Sequence, residues 1–217
     1  MSFSSVRLVI PNALIAAVLL CGCANSQLPV MSEPHASVVA IDMTLRSQPD
    51  DARNKPDSVY FAKIDGNDSL LQGQIILANY VRDSRAYLLN AAPGTYVVVA
   101  VYFNPRGLVT SMESITYLSK ELVERSKTSV RESELAFMGS FEVTQVGWLD
   151  QADEVQVHYR NALSPKEPPA FIAEYLSKLT SYRGLPGASR VEENARENFL
   201  QSAKKDLAGS AWSALLR

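Results

Sequence analysis

Few residues of this chain have side chains suited to covalent or acid–base chemistry. It contains two cysteines, Cys21 and Cys23, and two histidines, His35 and His158. A thiol can be a nucleophile, a metal ligand or an acceptor of a covalent group, and an imidazole can transfer a proton or bind zinc. No local spacing matches a zinc site. We therefore expect His35 in a polar tether, and His158 on the polar side of a strand at residues 155–159 rather than as a catalytic base.

Carboxylates are the next candidates. Asp50-Asp51 and Glu192-Glu193 are adjacent acidic pairs, and residues 65–68 have the sequence Asp-Gly-Asn-Asp. The spacing of the last group differs from that of known calcium loops, and its Gly and Asn favour a plain turn. The pair at 192–193 suits the first turn of a helix, where carboxylates stabilise the helix dipole. We expect no metal site and assign no catalytic residue, although carboxylates paired in space for glycoside hydrolysis have no signature in sequence.

The two tryptophans could stack on a sugar or on a partner side chain. Trp212 lies beside an apolar helical stripe, which predicts packing in the core. Trp148 follows Gly147 at a predicted strand end. It is the candidate for a partly exposed binding residue.

Residues 1–22 have the pattern of a secretory signal. Arg7 supplies a positive charge, and residues 8–20 form an apolar run interrupted by Pro11 and Asn12. This run is too short and too interrupted to be a stable membrane-spanning helix, but it suits the hydrophobic region of a signal peptide. It ends in Leu20-Cys21-Gly22-Cys23.

That ending resembles the lipobox of bacterial lipoproteins, in which the Cys accepts a diacylglycerol and the chain is cut just before it. The resemblance selects Cys23, because Gly22 is small enough for the cleavage position and Leu20 is too bulky to place the cut before Cys21. It implies a signal peptide at residues 1–22 and a multiply acylated Cys23 as the membrane anchor. An Asp directly after the lipidated Cys resembles a signal for retention in the inner membrane. Residue 24 is Ala instead, which implies export to the outer membrane of a two-membrane cell. An ordinary secretory signal with two chance cysteines is the alternative.

Composition excludes several functions. Cleavage removes Arg7 and no acidic residue, so 21 basic and 23 acidic residues become 20 and 23, and the formal charge is about −3. This balance provides no basic surface for nucleic acid and no polybasic patch for anionic lipid. The mature chain has no thiol besides Cys23, hence no disulfide and no thiolate metal site. No cofactor is expected.

Residues 23–35 are predicted to be the lipidated N-terminus and a polar tether, and residues 36–164 a β-sandwich domain. Strands are predicted at residues 36–45, 59–64, 73–81, 86–89, 96–103, 114–118, 128–131, 134–147 and 155–159, separated by turn signals. Many short strands favour a sandwich or barrel. We predict a mainly β fold, an antiparallel β-sandwich with one or two C-terminal α-helices packed on it.

The strand at residues 96–103 is apolar on both faces, which predicts a central strand covered on both sides. Residues 165–217, the C-terminal helical extension, would supply the second cover. Helices are predicted at residues 170–179 and from Ser189 onward, with Ser189 and Glu192 as a capping box and a break at residues 184–187. The second helix has an apolar stripe at Val191, Ala195, Phe199, Ala203, Leu207, Ala211 and Leu215. We interpret it as a docked helix, with a partner or a membrane surface as alternatives.

Residues 59–103 resemble transthyretin-like and carboxypeptidase-regulatory-like β-sandwich modules. Tyr87-Leu88-Leu89-Asn90 leads into Pro93-Gly94-Thr95-Tyr96, and those modules have a Pro-Gly-x-Tyr turn before a long core strand. Residues 134–140, Glu-Leu-Ala-Phe-Met-Gly-Ser, resemble a second strand entry in uncharacterised bacterial lipoproteins. The resemblance implies adhesion, scaffolding or positioning, without a shared active site.

Two functions follow from these patterns. The first is a non-enzymatic, lipid-anchored envelope protein that binds another envelope protein. The second is a binding module for a glycan or a small ligand. An exposed row of aromatic side chains would favour the second, and an exposed apolar patch would favour the first.

Overall fold

Eleven strands form one large mixed sheet in the computed structural model, which describes residues 28–47, 51–64, 69–104, 113–147, 151–163, 180–187 and 194–216. The strands are β1 (Ser37–Ser47), β2 (Arg53–Asn54), β3 (Ser58–Ile64), β4 (Gln74–Leu77), β5 (Tyr80–Arg82), β6 (Arg85–Ala91), β7 (Gly94–Phe103), β8 (Ser114–Leu118), β9 (Thr128–Val130), β10 (Leu135–Gly147) and β11 (Thr180–Pro186). The same residues include three α-helices, α1 (Lys120–Arg125), α2 (Glu154–Leu163) and α3 (Ala195–Asp206), and a 3₁₀ helix (Ala211–Leu216). The mainly β prediction is confirmed.

The sheet is curled so that its two ends meet. Its strand order is β4-β3-β7-β8-β11-β10-β1-β6-β5, with β2 beside β1 and β9 beside β7. β4 and β5 lie at opposite ends of this order, yet only Ala78 and Asn79 separate them in the chain. The Ala78 N–H donates to the Val59 carbonyl of β3, and the Asn79 N–H donates to the Tyr87 carbonyl of β6. The two residues therefore connect both ends of the sheet.

The prediction of an antiparallel arrangement is confirmed only in part, because the sheet is mixed. β1 pairs with β10 in parallel, and β11 pairs with β8 in parallel, whereas the other pairings are antiparallel. The described strands belong to one curled sheet, and a two-sheet sandwich is not confirmed. Alternating apolar residues and turn signals indicate where strands occur, but parallel pairs join segments far apart in the chain that no turn connects.

Strand β7 is covered on both faces, as predicted. Residues 97–101 are completely buried. Their core cluster contains side chains of β1, Leu122 and Val123 of α1, and Val155 and Tyr159 of α2. The cover on the helical side is therefore α1 and α2, and not the C-terminal helix that we expected there.

The segment predicted as a strand at residues 155–159 is helix α2. Val155 and Tyr159 are buried and lie one helical turn apart, whereas Val157 is exposed. A capping box begins the helix: the Asp153 carboxylate accepts from the Gln156 N–H at 2.9 Å, and the Gln156 side-chain oxygen accepts from the Asp153 N–H at 3.1 Å. Alternation at positions 155, 157 and 159 concealed this Asp-x-x-Gln signal.

Strand β11 replaces the break that we expected between two helices at residues 184–187. It lies between β8 and β10, so the sheet includes residues beyond the boundary placed at residue 164. Gly184 is required there by close packing, because a Cβ would lie 2.8 Å from Val143 Cγ1 and 2.9 Å from Leu118 Cδ2. The other predicted helix, at residues 170–179, lies outside the described residues.

The C-terminal helix α3 is docked on the sheet, as predicted. Phe199, Ala203 and Leu207 are buried in a second core cluster. That cluster also contains Val38 and Ala40 of β1, Tyr80 of β5, Tyr87 and Leu89 of β6, and Trp212 and Leu216 of the 3₁₀ helix. The α-helix ends at Asp206, so the four-residue stripe does not continue to Ala211, which is exposed. Ser189 and Glu192 lie outside the described residues.

The turn before β7 has the local geometry that its motif indicates. β7 begins at Gly94, which has a φ of 149°. The buried Tyr96 donates its hydroxyl to the carbonyl of Ala92 at 2.7 Å, so the side chain closes back on the turn. Pro93-Gly94-Thr95-Tyr96 thus links the turn directly to the core strand.

Candidate functional site

The N-terminal segment closest to Cys23 is bound to the body of the protein. The Trp212 Nε1–H donates to the Pro29 carbonyl at 2.8 Å, and the Asn90 Nδ2–H donates to the Val30 carbonyl at 3.0 Å. Asn90 Oδ1 accepts from the N–H of Ser32 at 2.8 Å and from its hydroxyl at 2.9 Å. Within the tether predicted at residues 23–35, the described part from residue 28 onward is therefore held in place.

Apolar contacts strengthen this attachment. Leu28 and Met31 are partly buried and pack on the cluster that contains Trp212 and Leu216. Val30, between them, points outward with 85% of its surface exposed. The docked segment thus has an inner apolar side and one aliphatic side chain directed into solvent.

An ion pair joins the end of α3 to the sheet. Arg85 of β6 donates from Nε to Asp206 Oδ2 at 2.6 Å and from an Nη to Oδ1 at 3.1 Å, a bidentate arrangement. Tyr87 donates its hydroxyl to the same carboxylate at 2.7 Å, and Tyr80 donates to the Asp206 carbonyl at 3.2 Å. The Asp206 side chain is 5% exposed and that of Arg85 14%. This buried ion pair, together with the hydrogen bonds from the two tyrosines, positions α3 on the sheet.

These contacts raise the pKa values of the two groups that bond to the Asp206 carboxylate. The hydrogen bond to Asp206 raises the pKa of Arg85 further above its usual value. Burial, followed by the hydrogen bond to Asp206, raises the pKa of Tyr87 well above its usual value of 10.0. Both groups keep their protons throughout the physiological range, so the cluster works as a structural bond between α3 and β6.

The aromatic side chains beside this ion pair are used for packing. Phe199 of α3 stacks on Phe137 of β10 with ring centroids 4.1 Å apart, and Tyr87 lies 6.0 Å from Phe199. Trp212 is buried, which confirms its predicted place in the core. In the part of the chain that the structure describes, the exposed large apolar residues are aliphatic: Val30, Leu71, Leu77 and Val157.

Hydrogen bonds link a row of neutral polar side chains across neighbouring parts of the sheet. Gln145 donates from Nε2 to the Thr116 hydroxyl at 2.8 Å and accepts from the Ser47 hydroxyl at 2.6 Å. Ser47 in turn accepts from Asn54 Nδ2 at 3.0 Å. These groups bond to one another and contain no ionisable side chain, so the row satisfies buried polar atoms and contributes no acid or base.

The two histidines have different neighbours and ordinary surroundings. His35 is exposed, with Nδ1 3.4 Å from the Ser133 hydroxyl. His158 is half-buried on α2, with its ring edge-on to Tyr159 at 4.9 Å. Its predicted surface position on a strand is wrong because the segment is helical.

Among the acidic candidates, Asp51 is exposed and bound to Arg46, and that hydrogen bond lowers the pKa of the Asp51 carboxyl. Across residues 28–216, leaving aside the stretches that are not described, no group of three or more His, Cys, Asp or Glu side chains is arranged to hold a metal ion. No described helix is both long and apolar enough to cross a membrane.

Several sequence candidates lie outside the described residues. They are the two cysteines Cys21 and Cys23, the acidic residues Asp50, Asp65, Asp68, Glu192 and Glu193, and Trp148. Conversely, sequence reasoning missed the partners Asn90, Arg85 and Asp206. The alternation of Arg85, Tyr87 and Leu89 places them on one face of β6, but nothing local indicates that Asp206, 121 positions from Arg85, lies opposite.

No family model, curated protein or solved structure matches this chain. The likeness to lipobox signals and to transthyretin-like modules therefore rests on the residues quoted above.

Proposed function

We propose that this protein is a lipid-anchored, non-enzymatic component of the outer membrane that binds another protein of the cell envelope. The observation that carries the proposal is the apolar run ending in Leu20-Cys21-Gly22-Cys23. The docked segment at residues 28–32 supports it, since a domain held by its N-terminus needs a firm attachment between that terminus and its core.

The exposed side chains favour a protein partner over a glycan. Sugar-binding surfaces use exposed aromatic rings, whereas the exposed large apolar residues among those described are aliphatic; the aromatic candidate Trp148 is not among them. Leu77 of β4 is 49% exposed and Leu71, shortly before that strand, is 37% exposed. The chain joins β4 to β5 through Ala78 and Asn79, but among the described strands β4 pairs only with β3, and a strand edge without a partner can bind an extended segment of another protein. We propose the β4 end as the partner surface.

We also propose that residues 59–103 are related to transthyretin-like sandwich modules. The support for this relation is local, namely the antiparallel pairing of β3 with β4 and β7 and the turn closed by Tyr96. Modules of that kind have diverse roles, so the relation adds a positioning or scaffolding role and no reaction.

Acylation is tested with the variant Cys23→Ser and the control Cys21→Ser in the full chain. We expect Cys23→Ser to lose its acyl mass and its retention in the membrane fraction, whereas Cys21→Ser keeps both. Membrane retention of the Cys23→Ser protein would contradict the anchor.

Partner binding is tested by placing a photo-crosslinking residue at Leu77 in intact cells, with the exposed Val157 as the control position. A recurrent envelope protein captured from position 77 and not from position 157 is expected. Capture of peptidoglycan or polysaccharide fragments alone would favour the glycan alternative and make Trp148 the next residue to change.

A further inference from the structure

We propose that the surface formed by residues 28–32 and 207–216, here called the neutral end, rests against the lipid surface that holds Cys23. This inference depends on the proposed acylation of Cys23. It adds an interaction surface and an orientation of the domain, with α3 and the 3₁₀ helix directed toward the membrane.

The first argument is reach. Leu28 is the first described residue, and it follows Cys23 by five positions. A fully extended chain advances at most about 3.6 Å per residue, so Leu28 lies no more than about 18 Å from an acylated Cys23. Because residues 29–32 are bonded to Trp212 and Asn90, this short link also keeps the neutral end near the lipid.

The second argument is the chemistry of this surface. Neither residues 28–32, Leu-Pro-Val-Met-Ser, nor residues 207–216, Leu-Ala-Gly-Ser-Ala-Trp-Ser-Ala-Leu-Leu, contain a charged side chain. Their inner side chains, including Trp212 and Leu216, are buried in the second core cluster. Val30, Ala211 and Ala214 are exposed. Glu33 and Arg217 follow the two ranges directly in the sequence, so it is the neutral surface between such charged borders that can approach the interfacial region of a bilayer without desolvating ions.

The third argument is the fixed direction of Val30. The Pro29 carbonyl accepts a hydrogen bond from the buried Trp212, and the Val30 carbonyl accepts one from Asn90. Those bonds hold the side chain outward, where 85% of it is exposed. Lys204 and Lys205, in the last turn of α3, are exposed beside the neutral end. Their long stems let the ammonium groups reach lipid headgroups while the neutral surface lies against the interface.

The test uses the mature chain, in which Cys23 is the only cysteine and its thiol is occupied by the acyl group. Val30→Cys then provides a single free thiol for an environment-sensitive fluorophore. Val157→Cys is a matched control, since it is the same exchange at an exposed valine, 42% accessible, on α2 and beside the other core cluster. Ala214→Cys supplies a second reporter in the neutral end.

Each acylated, labelled protein is reconstituted in vesicles of phosphatidylethanolamine and phosphatidylglycerol that contain lipids with a shallow nitroxide quencher. We expect a blue-shifted emission and a loss of fluorescence at positions 30 and 214, with neither change at position 157. Equal, water-like signals at all three positions in a protein whose mass includes the acyl group would overturn the orientation and leave the proposed anchor intact. A protein of unmodified mass would show instead that the proposed acylation itself is wrong.

Discussion

Trp212 and Pro29 are 183 positions apart in the chain and are joined by a 2.8 Å hydrogen bond from the indole Nε1–H to the backbone carbonyl. The indole is buried in the second core cluster, and Pro29 belongs to the docked segment nearest Cys23. The bond therefore couples the position of the N-terminal segment to the packing of the C-terminal helices.

Trp212→Phe should loosen the N-terminal segment. The variant keeps an aromatic ring but loses the donor to Pro29 and part of the buried volume, so we expect the free energy of unfolding to fall by about 1–3 kcal/mol. Faster hydrogen exchange at the Ser32 amide and earlier proteolysis near residues 28–35 are the local readouts. Asn90→Ala, which removes the other bonds to this segment, should have the same local effect. Unchanged exchange at Ser32 in both variants would refute the coupling.

Asp206→Asn should be strongly destabilising, because it leaves the largely buried Arg85 without its buried counter-ion. Removal of one partner of a buried pair costs about 3–5 kcal/mol. Asp83→Asn is a matched control, since Asp83 also contacts Arg85 but is 54% exposed, and exposed pairs contribute about 0–1 kcal/mol. Urea unfolding followed by circular dichroism compares the two. Equal effects of the two exchanges would show that the Arg85–Asp206 pair does not hold α3.

The protein should lose stability in alkali. Burial raises the pKa of Tyr117 to about 12 and that of Tyr159 to about 12, from a usual value of 10.0. The folded protein therefore keeps protons that the unfolded chain releases, so this stability is complete below pH 10.0 and is lost as the pH rises toward about 12. Each shift corresponds to about 3 kcal/mol.

Urea unfolding at a series of pH values above neutrality measures this dependence. Tyr117→Phe and Tyr159→Phe should each flatten the decline, since each removes one titrating group. If both variants lost stability with pH as steeply as the parent protein, burial of these hydroxyls would not be the cause.

Gly184→Ala should destabilise the sheet by about 1–3 kcal/mol, because the new methyl group overlaps Val143 and Leu118 in a packed interior. Gly147→Ala is the control, since no atom lies within 4 Å of a Cβ at that position. Melting temperatures of the two variants provide the comparison. A stable Gly184→Ala protein would mean that β11 is not packed between β8 and β10 as the structure has it.

Truncation after Gly187 and truncation after Ser164 should differ in kind. The first removes α3 and the 3₁₀ helix, and we expect a less stable sheet that still unfolds cooperatively. The second also removes β11 and leaves β8 and β10 without the strand between them, so we expect no cooperative unfolding transition. Calorimetry distinguishes these results, and a cooperative transition in the shorter chain would contradict a central β11.

Local patterns were sufficient where the structure depends on local interactions. The apolar residues on both faces of β7 predicted a central strand, and Pro93-Gly94-Thr95-Tyr96 predicted the turn before it. The spacing of Phe199, Ala203 and Leu207 predicted a docked helix. In each case the deciding interactions lie within a few residues or depend only on which face is apolar.

The same patterns failed where two periodicities coincide. Val155, Val157 and Tyr159 alternate as in a strand, yet Val155 and Tyr159 are also one helical turn apart, and the capping box of Asp153 and Gln156 decides for the helix. Gly184 was misinterpreted for a different reason. A glycine at this place predicted a break between helices, but its lack of a side chain is what allows β11 to lie close to Val143 and Leu118.

By itself, the sequence determined the apolar run, the thiol of Cys23 that we propose as the anchor, the charge balance and the positions of most strands, since these are properties of neighbouring residues. Only the tertiary structure decided the strand order, the pairing of Arg85 with Asp206 and the attachment of Pro29 to Trp212. The two contacts join residues more than a hundred positions apart. They form because the sheet curls until its two ends meet, and that curl depends on the positions of all the strands together.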